Sequence, residues 1–187
     1  MPIIREPQPN PILRQGIAVA ERVTGRRMTP ARLLAWAPRT AVGAAVLEAT
    51  AAHAGHGLSN RVLKLVRMSV SLGVNCPFCI DMNSTGHRAV GITDQEVIAI
   101  RDRRESDVAS FTALERVAIA WARGASATPI ALDAELLADV AETFTERQVV
   151  TLAATIAQVN YWARLIQSLG VPPAGFGDHC LLPQTNL

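Results

Sequence analysis

The chain has 187 residues, 49% of them hydrophobic and only 4% aromatic, with a formal net charge of +2. That length supports one domain with a sizeable core, the apolar content excludes a disordered chain, and interspersed charges of both signs exclude a nucleic-acid surface. Arg, Glu, Asp or His interrupts every apolar stretch, so neither a membrane-spanning segment nor a signal peptide is expected.

Residues 1–11 carry Pro2, Pro7, Pro9 and Pro11 and read as an extended arm lying on a neighbouring surface. Helical signals then fill residues 12–176, before an irregular tail over 177–187. Thr29-Pro30 reads as N-cap and first turn, and Gly55 closes an alanine-rich stretch that begins near Thr40. Ser59 opens a segment with Val62, Leu65, Val66, Val70 and Val74 on one helical stripe. Pro77 suits the first turn of a helix running from about Cys76 to Val90 and ending at Gly91. Capping boxes follow at Thr93 to Glu96, Thr112 to Glu115 and Thr145 to Gln148. Ile92 with Val97, and Phe144 with Val149, form hydrophobic staples around the first and third. On the last helix Val150, Ile156, Ala157, Tyr161 and Leu165 make a predicted core stripe, leaving Trp162 and Arg164 to meet another subunit. Gly170 and Pro172-Pro173 end it. No run alternates like a strand, so the reading is an all-α single domain of roughly eight helices. The short clusters Arg26-Arg27 and Arg101 to Arg104 read as solvated faces or subunit contacts.

Three cysteines, one of them odd, do not make a secreted disulfide framework, and a reducing cytoplasm fits them best. Asn75-Cys76-Pro77-Phe78-Cys79-Ile80-Asp81-Met82-Asn83 places two thiols one turn apart at a predicted helix start. The macrodipole and free N–H groups there stabilise a thiolate, and the second sulfur is near enough to close a disulfide. A peroxide-reducing thiol must ionise, attack an oxygen, become a sulfenic acid and be resolved by a second thiol. Cys76 and Cys79 can divide those tasks. On the predicted helix Cys79, Asn83 and His87 follow one another at i+4 spacing and share a face. Two plainer readings stay open: an inert reduced pair in a helix bundle, or half of a zinc site. Against zinc, no second Cys pair exists, and His53, His56, His87 and His179 lack compact ligand spacing. A thioredoxin fold is excluded, because the segment before Cys76 is helical in period rather than a strand. Cys180 reads as a bystander.

With these segments in view, the chain resembles carboxymuconolactone decarboxylase-like proteins of the alkylhydroperoxidase D-like superfamily, over about residues 39–176. The likeness rests on Leu58 to Ser71, Asn75 to Met82, Gly91-Ile92-Thr93, Phe111 to Arg116, Phe144-Thr145-Glu146 and Ile156 to Arg164. The last segment is similar to the family's late Asn-x-x-Asn-Arg helix, with Ala163 in place of the second Asn. The resemblance implies an all-helical fold assembled as a homo-oligomer, a trimer or hexamer. It implies no cofactor beyond a redox-active Cys76–Cys79 disulfide, and it gives Cys79 the attack on peroxide and Cys76 the resolving role. The helix-dipole argument alone favours Cys76 as the thiolate. The family's peroxidases carry a Glu on the preceding helix and a His one turn after the second cysteine; those positions are Lys64 and Asn83 here. Lys64 still favours a thiolate by charge, while Asn83 hydrogen-bonds without titrating. That leaves His87 as the nearby titratable substitute.

Three functions follow as expectations. The first is a thiol-dependent peroxidase or disulfide oxidoreductase, taking a small peroxide and a separate thiol reductant. The second is a cofactor-free decarboxylase of aromatic catabolism acting on an acid, for which His87, Lys64 and Arg67 are the available base and anion-binding groups. The third is a non-enzymatic redox sensor or scaffold that kept the fold without the family's Glu and His. None involves a nucleic acid or a membrane.

Overall fold

Most of the helices begin where a side chain can satisfy a free backbone N–H group; α2 and α3 instead begin next to a proline. Asn10 Oδ1 accepts the Leu13 N–H at 2.9 Å, and Pro11, which has no N–H to satisfy, takes the first helical position. The computed structural model describes residues 2–51 and 57–177. It holds α1 (Pro11–Thr24), α2 (Thr29–Leu33), α3 (Pro38–Thr50), α4 (Asn60–Gly73) and α5 (Pro77–Ser84). Then come α6 (Asp94–Asp102), α7 (Ala113–Ser126), α8 (Ala134–Thr143) and α9 (Glu146–Ser168). The fold is all-α, with short 3-10 turns and no β-strand among the described residues. None of these helices is long and apolar enough to cross a membrane. His53, Gly55, His56, His179, Cys180 and residues 178–187 of the predicted tail lie outside the described residues.

Helix α4 is the axis of the molecule. Ser59 caps it by accepting the Val62 N–H at 3.2 Å, and it packs on α5, α6, α7 and α9. Of its predicted stripe, Val62, Leu65, Val66 and Val70 are buried, and so are Leu63 and Met68 on other sides. A helix buried on several faces needs partners around it, and α6, α7 and α9 supply them. The three predicted capping boxes are present, at Thr93 with Glu96, Thr112 with Glu115 and Thr145 with Gln148. Ile92 and Val97 share one buried cluster, while Val149 packs against the cluster that holds Phe144.

Two expectations are corrected. Thr29 is the first residue of α2 rather than its cap; the Met28 N–H before it donates to Glu21 Oε1 at 3.0 Å, and Arg32 closes on the same carboxylate. The buried stripe of α9 is Leu152, Thr155, Ile156, Val159, Ala163 and Ile166, because α9 turns that face to α4, α5 and α7. Val150 is 68% exposed. Trp162 and Arg164 have partners within the chain, Glu48 and Thr128. The N-terminal arm also lies on its own chain. The Ile3 N–H donates to Leu169 O at 3.0 Å, Trp36 Nε1–H to Arg5 O at 2.9 Å, and Glu6 pairs with Arg27.

One ion cluster ties three helix starts together. Arg61, in the first turn of α4, donates to Glu115 Oε1 at 2.6 Å and to Glu96 Oε1 at 2.6 Å, and also to Gly91 O. Both glutamates are the capping-box residues of α7 and α6, and both are buried. Burial alone would raise the Glu96 carboxyl, but hydrogen bonds from Arg61, Ser110 and the Thr93 N–H, with the Arg61 charge, bring it down to about 2. Removing Arg61 leaves two buried carboxylates without a cation, so Arg61→Met is expected to cost about 3 kcal/mol of unfolding free energy. Urea titration at pH 7 measures it. A carboxyl depressed in the folded state stabilises above its unfolded value, near 4.5, and loses that contribution as pH falls toward 2. The same titrations repeated across that window should show stability falling, with a shallower slope in Glu96→Gln.

Candidate active site

The chain turns from α4 into α5 through Asn75, whose φ of 47° is left-handed, and the Cys76 N–H donates to Ser71 O at 3.1 Å. Cys76 is the N-cap of α5 and Pro77 its first residue. The Cys76 sulfur accepts the Cys79 N–H at 3.3 Å, the bond a Ser or Asp cap would make. The two cysteines form a disulfide, with Cα atoms 5.2 Å apart. Both are buried, in a cluster with Leu33 of α2, Phe78 of α5, Ala163 and Ile166 of α9, and Val171.

Helix α5 stops earlier than the sequence reading placed it. Ser84 is its last residue, Thr85 is extended, and Gly86 takes a φ of 71° before a 3-10 turn over His87–Val90. Cys79 and Asn83 remain on one helix; His87 does not share it. Its Nδ1 lies 2.8 Å from Ser84 O and its Nε2 2.8 Å from Asp94 Oδ1, so both ring nitrogens are engaged outside the sulfur cluster. The break has a visible cause. Gly86 relieves the left-handed turn, and Lys64 Nζ donates at 2.5 Å to Thr85 O, a carbonyl a continuing helix would use internally.

Lys64 and Asn83, where the resemblance expects Glu and His, both tie α4 to α5. Asn83 Nδ2 donates to Ser71 Oγ at 2.9 Å, and Ser71 Oγ donates to Arg67 O at 2.8 Å. Lys64 is the single lysine of the chain; the other 17 of its 18 basic residues are arginine. Burial pushes its ammonium down to about 8, and the Arg67 charge adds to the shift. Arg67 Nη2 donates to Gln158 Oε1 at 3.2 Å. Gln158 in turn donates to Glu48 Oε2 at 2.5 Å, which also accepts Trp162 Nε1–H at 2.9 Å. Among the described residues, neither Lys64 nor Arg67 forms an ion pair. The arrangement is a buried disulfide at a helix N-terminus, beside a helix whose adjacent turns carry two uncompensated cations.

One buried group escaped the sequence reading. Asp81 accepts the N–H groups of Ala174, Gly175, Phe176 and Gly177 at 2.7–3.1 Å. The signal was present: an acid between Ile80 and Met82, on a helix with apolar neighbours, must find partners when it is buried.

The sequence model of the carboxymuconolactone decarboxylase family matches residues 40–124. The protein YdfG of Bacillus subtilis (strain 168) is 30% identical over 108 residues, which span 57% of this chain and 72% of YdfG. The chain belongs to the carboxymuconolactone decarboxylase family. The fold likeness reaches further along this family member than the sequence match. The apo structure of the debrominase Bmp8 superposes with a TM-score of 0.76 at 19% identity, covering 93% of each chain. A peroxidase-related protein of Ralstonia eutropha JMP134, described as an alkylhydroperoxidase AhpD core, gives 0.75 at 15% identity, covering 91% of this chain and 90% of its own. The all-α fold is therefore AhpD-like.

The single lysine allows a direct check of the site's electrostatics. Reductive methylation with ¹³C-formaldehyde labels Lys64 as the only side-chain amine, and its resonance should titrate near 8 rather than at the ordinary value of 10.5. A lysine depressed on folding destabilises while both states are charged. Stability should therefore rise from about pH 8 to 10.5, and that rise should vanish in Lys64→Met.

Proposed function

We propose that this family member is a thiol-dependent peroxidase or disulfide oxidoreductase working through Cys76 and Cys79 in a reducing cytoplasm. The observation that supports it is the pair's placement, joined as a disulfide across the first turn of α5 with Cys76 as the cap. On this reading the Cys79 thiolate attacks the terminal peroxide oxygen, the O–O bond breaks, and an alcohol or water leaves with one added proton. Cys79 becomes a sulfenic acid. Cys76 attacks its sulfur, water leaves, and the disulfide forms. An external dithiol then reduces the bond, taking two electrons' worth of oxidation onto itself.

The helix start supports this division of roles on the side of the resolving and leaving sulfur. A sulfur that accepts an N–H at the positive end of a helix is the better thiolate and the better leaving group. Cys76 therefore resolves readily, and it departs when a reductant attacks Cys79. Lys64 and Arg67 raise the local positive potential, and Lys64 is the titratable group on this face of α4. Asn83 holds α5 in place, and His87, engaged with Ser84 and Asp94, positions the turn after it. No further cofactor enters the scheme. Ile12, Val19 and Val23 on α1 and Val42 and Val46 on α3 are exposed apolar groups that suit self-association as a trimer or hexamer.

In the reduced protein, one equivalent of hydrogen peroxide is expected to close the Cys76–Cys79 disulfide, read by mass spectrometry after alkylation. Cys79→Ser should bring peroxide consumption to the background rate, while Cys76→Ser should leave a sulfenic acid that dimedone traps. Unchanged consumption in Cys79→Ser would overturn the reading. A second reading has its own observation, the half-buried Lys64 amine beside Arg67: a cofactor-free decarboxylase acting on an acid. There the double Cys→Ser variant keeps turnover and Lys64→Met loses it. Reversible disulfide formation without turnover would instead mark a redox sensor or scaffold.

A further inference from the structure

Helices form most of the walls around the disulfide, through Leu33 of α2, Phe78 of α5, and Ala163 and Ile166 of α9. The exception is the segment after α9. Val171 belongs to the same buried cluster as both cysteines, and Ala174 and Phe176 pack against it. The Phe176 ring meets Phe78 edge-on, with centroids 5.8 Å apart and planes at 86°. With this segment in place, Cys76 is 0% and Cys79 2% exposed.

The segment is irregular and is held by few bonds. The Val171 N–H closes back on Ile166 O at 3.1 Å, and Pro172 and Pro173 have no N–H. The next four N–H groups all converge on one carboxylate. Asp81 Oδ2 accepts from Ala174 at 3.0 Å, Gly175 at 2.7 Å and Phe176 at 3.1 Å, and Oδ1 accepts from Gly177 at 3.0 Å. Gly175, at a φ of 71°, supplies the curl that turns these amides inward. Asp81 sits two residues after Cys79 on the same short helix and is 6% exposed.

We propose that residues 171–177 are a cover over the disulfide, that Asp81 is the positioning residue holding it closed, and that thiol–disulfide exchange at Cys79 requires it to open. The inference deepens the redox reading of the cysteine pair and rests on it. Opening involves no covalent step: four amide–carboxylate bonds are exchanged for bonds to water. One side chain governs all four, so the cover releases as a unit. Asn in place of Asp81 offers one acceptor oxygen instead of two and aims an NH₂ donor at amide donors. The cover also sorts reactants by size, since a small peroxide needs a narrower opening than a protein dithiol.

The test uses the oxidised full chain and dithiothreitol, with reduction followed by alkylation and mass spectrometry. A cover open in about 0.1–10% of molecules limits exchange by that fraction, so a variant that leaves it open should be reduced about 10- to 1000-fold faster. Asp81→Asn, which weakens the acceptor of the four amides, and Phe176→Ala, which removes the ring contact with Phe78, are both expected to show this. Hydrogen exchange should show lost protection at residues 174–177 with α4 amides still protected, a pattern that general destabilisation would not give. Unchanged reduction rates with those amides deprotected would overturn the cover. Amides still protected in Asp81→Asn would overturn Asp81 as its holder. Failure of the peroxidase reading appears separately, as wild-type thiols that peroxide does not oxidise, while the chemically formed disulfide still reports on the cover.

Discussion

The Arg61 cluster is the constraint on which the rest of the molecule depends. Glu96 and Glu115 each do two things: they close the capping boxes of α6 and α7, and they pair with one guanidinium in the first turn of α4. The starts of three helices are thereby fixed to one another, from segments far apart in the chain. Once α4 is fixed at that end, its direction past α7 and α9 is determined, and so is the turn at Asn75 that launches α5. The position of the sulfurs therefore follows from charges about four helical turns away along α4.

Beyond Arg61 the polar residues of α4 change task. Lys64, Arg67 and Ser71 reach α5 and α9 with hydrogen bonds rather than ion pairs: Lys64 to Thr85 O, Ser71 from Asn83, Arg67 to Gln158. The two positions where the family resemblance leads one to expect a titrating pair thus serve as fasteners between helices. The cost is a half-buried ammonium with no ion-pair partner among the described residues, and the benefit is a defined end for α5. A chain that otherwise uses arginine throughout keeps its one lysine here, where the longer and wider guanidinium would have to fit the same narrow gap to a backbone carbonyl.

Much of the fold was legible because its signals are local. Thr93 with Glu96, Thr112 with Glu115 and Thr145 with Gln148 announce helix starts within four residues, and Pro77 and Gly170 mark a start and an end in the same way. The cysteine pair at a helix N-terminus was legible for the same reason. What stayed hidden depends on contacts between distant residues. Gly86 and Gly91 are both possible helix ends, and the choice of Gly86 depends on Lys64, a residue of the preceding helix. The rotation of α9, which exposes Val150 and buries Leu152, depends on three neighbouring helices at once. Asp81 finds its partners more than ninety residues further along the chain.

Trp162 donates its indole N–H to Glu48, and its ring packs against the cluster that holds both sulfurs. An excited indole readily transfers an electron to a nearby disulfide and much less readily to a pair of thiols. The molecule thus carries a built-in optical gauge of its own oxidation state, with emission expected to brighten when the bond is reduced and to dim when it reforms.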